Sequence, residues 1–258
     1  MTHNKSKIRQ SFSAAAASYD AMARLQKQVA VDLLHQSEMP TSQQTVLDLG
    51  CGTGFLTEKL ADHVAVENLF ALDIALPMLH RARQRPALTR CHHICADAEA
   101  LPFVNNQFDW IYSSLALQWC SDLSAVFKGV QQCLKASGKL AFATFGPATL
   151  KELKTAWKHV DDAVHVNDFY PSDHIEMALQ RTGFTSIHLN SRLYTLSYRD
   201  VWALMRELKG IGAQHVNGRQ SQRLITRKHI NQMIAAYPKQ FNGDIIASYE
   251  IFFVQAQL

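Results

Sequence analysis

Apolar residues recur at helical spacing through the first part of the chain. Ile8, Phe12, Ala15, Leu25, Val29, Leu33 and Leu34 predict helix over 5–38, with a break near Ser18–Asp20. Pro40 to Gln44 is a polar connector, after which the period changes. Thr45-Val-Leu-Asp-Leu-Gly50 and Leu69-Phe-Ala-Leu-Asp73 are short apolar runs that predict buried strands, each followed by a helix, over 55–63 and up to Arg85 before Pro86. The alternation continues with strands at 91–95 and 108–114, a helix at 123–134, a Ser137-Gly138 turn and a strand at 139–145. Strands alternating with helices of this length predict right-handed βαβ units and a parallel sheet. Beyond Gly146-Pro147 the pattern loosens. It gives helix near 149–164 and 172–182, a strand over 186–198, helix through 199–238 and a last strand over 245–255. The final two strands are thus separated by a helical insertion of about forty residues.

A chain of 258 residues with 47% apolar and 19% charged residues is ordinary globular material, which excludes general disorder, collagen and coiled coil. No apolar run approaches the length of a membrane span. The basic start MTHNKSKIRQSF leads into an alanine patch broken at once by Tyr19, Asp20 and Arg24, so no secretory core is expected. Five scattered cysteines without framework spacing predict reduced thiols and a cytoplasmic protein. Cys91-His-His-Ile-Cys95 does not predict a metal site, because alternate side chains of a strand point oppositely.

The strongest chemical signal is Val46-Leu-Asp48-Leu-Gly50-Cys51-Gly52-Thr53-Gly54-Phe55. Its glycines let backbone approach a ligand at a strand-to-helix turn. A dinucleotide site would show G-x-G-x-x-G, whereas the spacing here is G-x-G-x-G. Asp48 would repel a pyrophosphate and favour a ligand carrying an ammonium or sulfonium. Asp73 ends the second strand, where a carboxylate can accept from both ribose hydroxyls. Asp97 ends the third, where one could accept from an adenine amino group. In an open α/β sheet the three acids should converge beyond the carboxyl ends of the strands.

The D-x-G-x-G-x-G run with two later acids resembles the class I S-adenosylmethionine-dependent methyltransferases over roughly residues 40–145. Further pieces resemble the malonyl-acyl-carrier protein O-methyltransferases of biotin synthesis, the BioC family. They are Phe12-Ser-Ala-Ala-Ala-Ala-Ser-Tyr19-Asp20, Leu25-Gln26, Leu115-Ala-Leu-Gln118-Trp119-Cys120, Leu208-Lys-Gly-Ile-Gly-Ala213 and Leu224-Ile-Thr-Arg227. The resemblance implies a Rossmann-like α/β fold with a seven-stranded, mostly parallel sheet and an antiparallel last strand. One methyltransferase domain is expected, with an amino-terminal helical lid (1–40), a donor-binding core (41–146) and a helical insertion (199–238) on the substrate side. It further implies S-adenosylmethionine as co-substrate, held by Asp48, Gly50, Cys51, Gly52, Gly54, Asp73, Ile74, Met78, Asp97, Ala98 and Leu115.

The implied reaction is methylation of the free carboxylate of malonyl-acyl-carrier protein or malonyl-CoA. That carboxylate is ionised at neutral pH, so no residue is expected to act as acid or base. Tyr19, Gln118 and Trp119 are candidates for positioning the substrate. The net charge of +4 is unevenly spread: residues 199–239 carry +6 and the remainder −2. A basic insertion suits an acidic carrier protein, with Arg206, Lys209 and Arg219 as candidate contacts. The alternatives are a small-molecule or quinone C-methyltransferase and a non-catalytic donor sensor. A nucleic-acid methyltransferase is disfavoured, since no D/N-P-P-Y/F motif is present.

Overall fold

The computed structural model describes residues 5–38, 44–63, 66–213 and 226–258. Its strands are β1 (Gln44–Leu49), β2 (Val66–Asp73), β3 (His92–Cys95), β4 (Phe108–Ser114), β5 (Leu134–Phe145), β6 (Thr185–Tyr198) and β7 (Ile245–Gln257). They form one seven-stranded sheet in the order β3-β2-β1-β4-β5-β7-β6. Pairings from β3 through to β5 are parallel, and β7 runs antiparallel to both β5 and β6.

Apolar alternation explains why this sheet is covered on both faces. Val46, Trp110, Tyr112, Ala141, Ala143, Ile251 and Phe253 join one core cluster. Their sequence neighbours Leu47, Ile111, Leu140, Phe142, Phe252 and Val254 join the other, as the period of two along a strand requires. The helices are α1 (Lys5–Ala15), α2 (Tyr19–Met22), α3 (Arg24–Gln36), α4 (Phe55–Ala61), α5 (Leu76–Arg83), α6 (Leu123–Cys133), α7 (Lys151–Lys158), α8 (Ser172–Arg181), α9 (Val201–Gly210) and α10 (Arg227–Ala236). Leu25, Val29 and Leu33 of α3 pack with α4, α7 and α9 on the first face; α6 and α8 cover the second. Asp122 caps α6 by accepting from the Ala125 N–H, and the helix buries Leu123, Val126, Phe127 and Val130. Each such large side chain contributes about 1.5–3 kcal/mol.

Three segment boundaries differ from the sequence pattern. The expected turn at Ser137-Gly138 is absorbed into β5, whose pairing with β4 shifts register between Phe108 and Trp110. The helix expected over 149–164 ends at Lys158, since Asp161 accepts from the Ala163 N–H and from His165, a local turn that competes with helix. The amino-terminal helix is broken twice, into α1, α2 and α3. The segment between β6 and β7 contains α9 and α10; residues 214–225, including Arg219 and Leu224, lie outside the described residues. Among the described residues no helix is long and apolar enough to cross a membrane.

Candidate functional site

The carboxyl ends of β1 to β4 open onto a cavity lined by Asp48, Gly50, Cys51, Gly52, Asp73, Ile74, Met78, Asp97, Ala98 and Leu115. The loop after β1 is shaped by backbone that favours glycine: φ is +80° at Gly50 and +55° at Gly52. A Cβ on Gly50 would stand 2.2 Å from the Ala116 Cβ, whereas one on Gly52 would meet nothing within 4 Å. Gly54, at φ +84°, is not among the residues lining the cavity, and a Cβ there would stand 2.9 Å from both Ala82 and Leu88, so backbone conformation and packing both favour glycine at that position.

Asp48 is 1% exposed and accepts from the Thr57 hydroxyl at 2.6 Å. Burial pushes its pKa up to about 7, with Thr57 opposing the shift. Asp73 accepts from the Gly52 N–H at 2.9 Å and the Ala75 N–H at 2.8 Å. Burial raises its pKa, and the backbone donors work against that rise. Each carboxylate oxygen can accept more than once, so these bonds leave room for a ligand. Asp97 and Glu99 are bridged by Lys5 of α1, at 2.5 Å and 2.9 Å.

The segment before β1 covers this cavity. Asp20 accepts from Thr53 of the glycine loop at 2.6 Å and pairs with Arg85 at 3.0 Å. Arg85 also donates to the Thr53 carbonyl and pairs with Glu58, fastening segment, loop and α4 together. Tyr19 lines the cavity; burial first, and then Asp73 and Asp20, hold its phenol well above its usual pKa. It is therefore a neutral donor throughout the physiological range. Leu115, at φ +50°, bears left-handed backbone strain where β4 gives way to the site.

A second cavity of about 550 Å³ adjoins the first. Phe12, Tyr19, Gln26, Leu115 and Trp119 line both. Phe12 packs edge-on against Trp119 at 5.3 Å. Gln118 also lines the second cavity, but its amide donates to the Leu115 carbonyl and accepts from Thr144, which braces the turn after β4. Trp157, His165, Phe169 and Tyr249 extend the wall. Arg206 and Lys209 are exposed at its edge on α9, at helical spacing from Trp202. Thr57 and the Trp157–His165 pair did not stand out in the sequence; only tertiary packing brings them to the site, whereas Gln26 belongs to the Leu25-Gln26 piece of the resemblance. Among the described residues no group of three or more His, Cys, Asp or Glu could hold a metal ion.

Residues 47–142 match a family described as a methyltransferase domain. The solved structure of the YcgJ protein from Bacillus subtilis shares the fold, with a TM-score of 0.64 at 17% identity over 89% of this chain and 97% of that one. The biotin biosynthesis bifunctional protein BioHC of Saccharophagus degradans is 39% identical over 98% of this chain, which spans 46% of that longer protein. The malonyl-acyl-carrier protein O-methyltransferase of Gallionella capsiferriformans is 36% identical over 98% of this chain and 90% of its own length. The chain belongs to the malonyl-acyl-carrier protein O-methyltransferase family. It is an S-adenosylmethionine-dependent methyltransferase, and the fold is that of class I.

The raised pKa of the buried Asp48 gives its expected role beside the donor a pH signature. An ionised carboxylate there would attract a sulfonium, and a pKa raised to about 7 makes that form scarce at lower pH. Donor affinity should therefore fall as pH drops through 7, by up to about tenfold per unit. Calorimetry of donor binding between pH 6 and 8 checks this against Asp48→Asn, whose residual slope reports other groups. Equal slopes for the two proteins would contradict the assignment.

Proposed function

We propose that the protein transfers the methyl group of S-adenosylmethionine to the free carboxylate of a malonyl thioester carried by acyl carrier protein, forming the methyl ester. The observation that carries this is the junction between the two cavities, where Phe12, Tyr19, Gln26, Leu115 and Trp119 offer no carboxylate or imidazole. The carboxylate is already a nucleophile and the sulfonium already activated. The site has to align oxygen, methyl carbon and sulfur and exclude water. Asp73 would take the ribose hydroxyls, Asp97 the adenine amino group, and Asp48 with the glycine loop the charged methionine end. Lys5 and Asp20 would act as the two fastenings of a lid formed by α1 and α2. The terminal carboxylate is costly in the apolar pockets of chain-elongating enzymes, and an ester removes that charge. Five unpaired cysteines fit a reducing, cytoplasmic setting.

The linkage formed tests this reading. Labelled methyl placed on the carrier substrate should be released as methanol by mild alkali. Label that alkali does not release would mean methylation at carbon or nitrogen.

An acidic carrier protein would dock beside α9, on Arg206, Lys209 and Trp202, with the phosphopantetheine arm entering the second cavity. Long-range attraction of this kind is screened as the Debye length falls from about 30 Å at 0.01 M to about 10 Å at 0.1 M salt. Catalytic efficiency with the carrier-bound substrate should drop several-fold across that range. An efficiency flat in salt would remove α9 as the docking surface.

A further inference from the structure

Hydrogen bonds have a direction, and one direction is fixed in the wall of the second cavity. Tyr198 of β6 donates its hydroxyl to Glu207 Oε1 of α9 at 2.7 Å, and its oxygen lies 3.3 Å from the hydroxyl of Tyr249 of β7. A carboxylate has no hydrogen to give and a phenol has one. With the Tyr198 hydrogen committed to Glu207, the hydrogen in the second contact comes from Tyr249. Burial holds both phenols well above their usual pKa, against a smaller opposing influence of Arg24, so each keeps its single proton at neutral pH. Tyr249 and Glu207 both line the second cavity. The chain Tyr249–Tyr198–Glu207 therefore has only acceptors left to offer an occupant of that cavity: the lone pairs of Tyr249 and the other oxygen of Glu207.

Acceptors of this kind repel a carboxylate and take an N–H or O–H. A malonyl group and its thioester carry no such hydrogen. The first one in the substrate is an amide N–H of the carrier's arm, past the thioester sulfur and a two-carbon bridge. The order of the cavity suits that sequence of groups. Arg206 and Lys209 are exposed at its edge, where the phosphate end of an arm would be held. Tyr249 is buried, inward of that basic rim, and stands on β7, two strands from β4. Leu115, which follows β4, lines both cavities where the methyl is delivered.

We propose that Tyr249 sets the position of the substrate by accepting a hydrogen bond from the arm's amide nearest the thioester, with Tyr198 and Glu207 fixing the direction of the Tyr249 hydrogen. This rests on the carboxyl-methylation reading above. Tyr249 holds a group remote from the reacting atoms, and its acceptor turns the malonyl carboxylate away from this wall and toward the donor. An arm that lacks the N–H sets lone pair against lone pair here.

The test uses malonyl-carrier protein with its natural arm and with an arm whose thioester-proximal amide N–H is replaced by an ester oxygen. Catalytic efficiency on both is measured for wild type, Tyr249→Phe and Tyr198→Phe, with the Kd for S-adenosylhomocysteine as a check on the donor site. Wild type should prefer the natural arm by about tenfold. Tyr249→Phe should shrink the preference to about twofold or less by slowing the natural arm, with a Kd within about threefold of wild type. Tyr198→Phe keeps Tyr249 but frees its hydrogen, which can then serve the ester oxygen, so the preference should shrink there too. A residue that merely packs would not give that second result. Equal efficiency on the two arms in wild type, or a preference that survives Tyr249→Phe, would overturn the proposal. So would a loss of efficiency matched by an equal loss of S-adenosylhomocysteine binding. If Tyr249→Phe melts early, Tyr198→Phe decides, and an undiminished preference there overturns the proposal. A wild type that binds S-adenosylhomocysteine but forms no methyl ester on the natural arm would sink the carboxyl-methylation reading itself; ester formation at equal efficiency on both arms would sink this inference alone.

Discussion

Alanine at Gly50 will cut methyl transfer by about 100-fold or more, while alanine at Gly52 will cost only the left-handed backbone penalty, about 1–2 kcal/mol of stability. At Gly50 two penalties act together. The left-handed backbone costs an L-residue about 1–2 kcal/mol. The new methyl would also stand 2.2 Å from the Ala116 Cβ, so one segment must shift, at about 1–3 kcal/mol for overpacking. Ala116 follows Leu115, which lines both cavities, so the displacement falls on the donor site. Donor affinity should drop by about 100-fold or more, in line with the combined cost. At Gly52 only the backbone penalty applies, because nothing lies within 4 Å of the added atom. Calorimetry with S-adenosylhomocysteine and thermal melting separate the two variants. A Gly50→Ala protein that binds as wild type does would mean the loop is freer than its contacts show.

Removing the carboxylate of Asp73 should have a comparable effect by a different route. Its two oxygens accept the Gly52 and Ala75 N–H groups, so the side chain ties the glycine loop to the end of β2. Under the proposed reading the same oxygens would also take the ribose hydroxyls. Hydrogen bonds to a charged group are worth about 1.5–3 kcal/mol each, so losing two predicts a fall of about 100-fold or more in donor affinity for Asp73→Ala. Asp73→Asn keeps the shape and one acceptor oxygen and should fall between the two. A 2′-deoxy analogue of S-adenosylhomocysteine closes the cycle. It should bind wild type far more weakly than the parent compound, yet bind Asp73→Ala nearly as well as the parent does. If the hydroxyl costs the same in both proteins, Asp73 does not hold the ribose.

The parts of the site legible in the sequence are those where backbone geometry or charge leaves few choices. Gly50 and Gly52 adopt positive φ, and Asp48, Asp73 and Asp97 lie at or just past the carboxyl ends of β1, β2 and β3, so residue type alone pointed to their places. The sheet was legible for the same reason: short apolar runs alternating with helices need cover on both faces, which a parallel sheet between helices provides. What escaped depends on contacts distant in sequence. Lys5 reaches Asp97 across 92 residues, and Asp20 reaches Thr53 across 33. Tyr249 joins Trp157 and His165 on the wall of the second cavity because β7 returns beside β5. Gly54 was legible as part of the motif and has a φ of +84°, but its packing against Ala82 and Leu88 was not legible. The Ser137-Gly138 pair carried the turn composition expected of it, but an irregularity in the ladder with β4 takes it up within β5. Gln118 illustrates the same limit, since its place after β4 was legible while its partner Thr144 was not.

The most direct measurement offers labelled S-adenosylmethionine in parallel to malonyl-carrier protein, malonyl-CoA and a quinol precursor. Label should enter the malonyl thioesters, with the carrier protein preferred at low salt, and should leave the quinol untouched. Label in the quinol with none in either malonyl thioester would contradict the account.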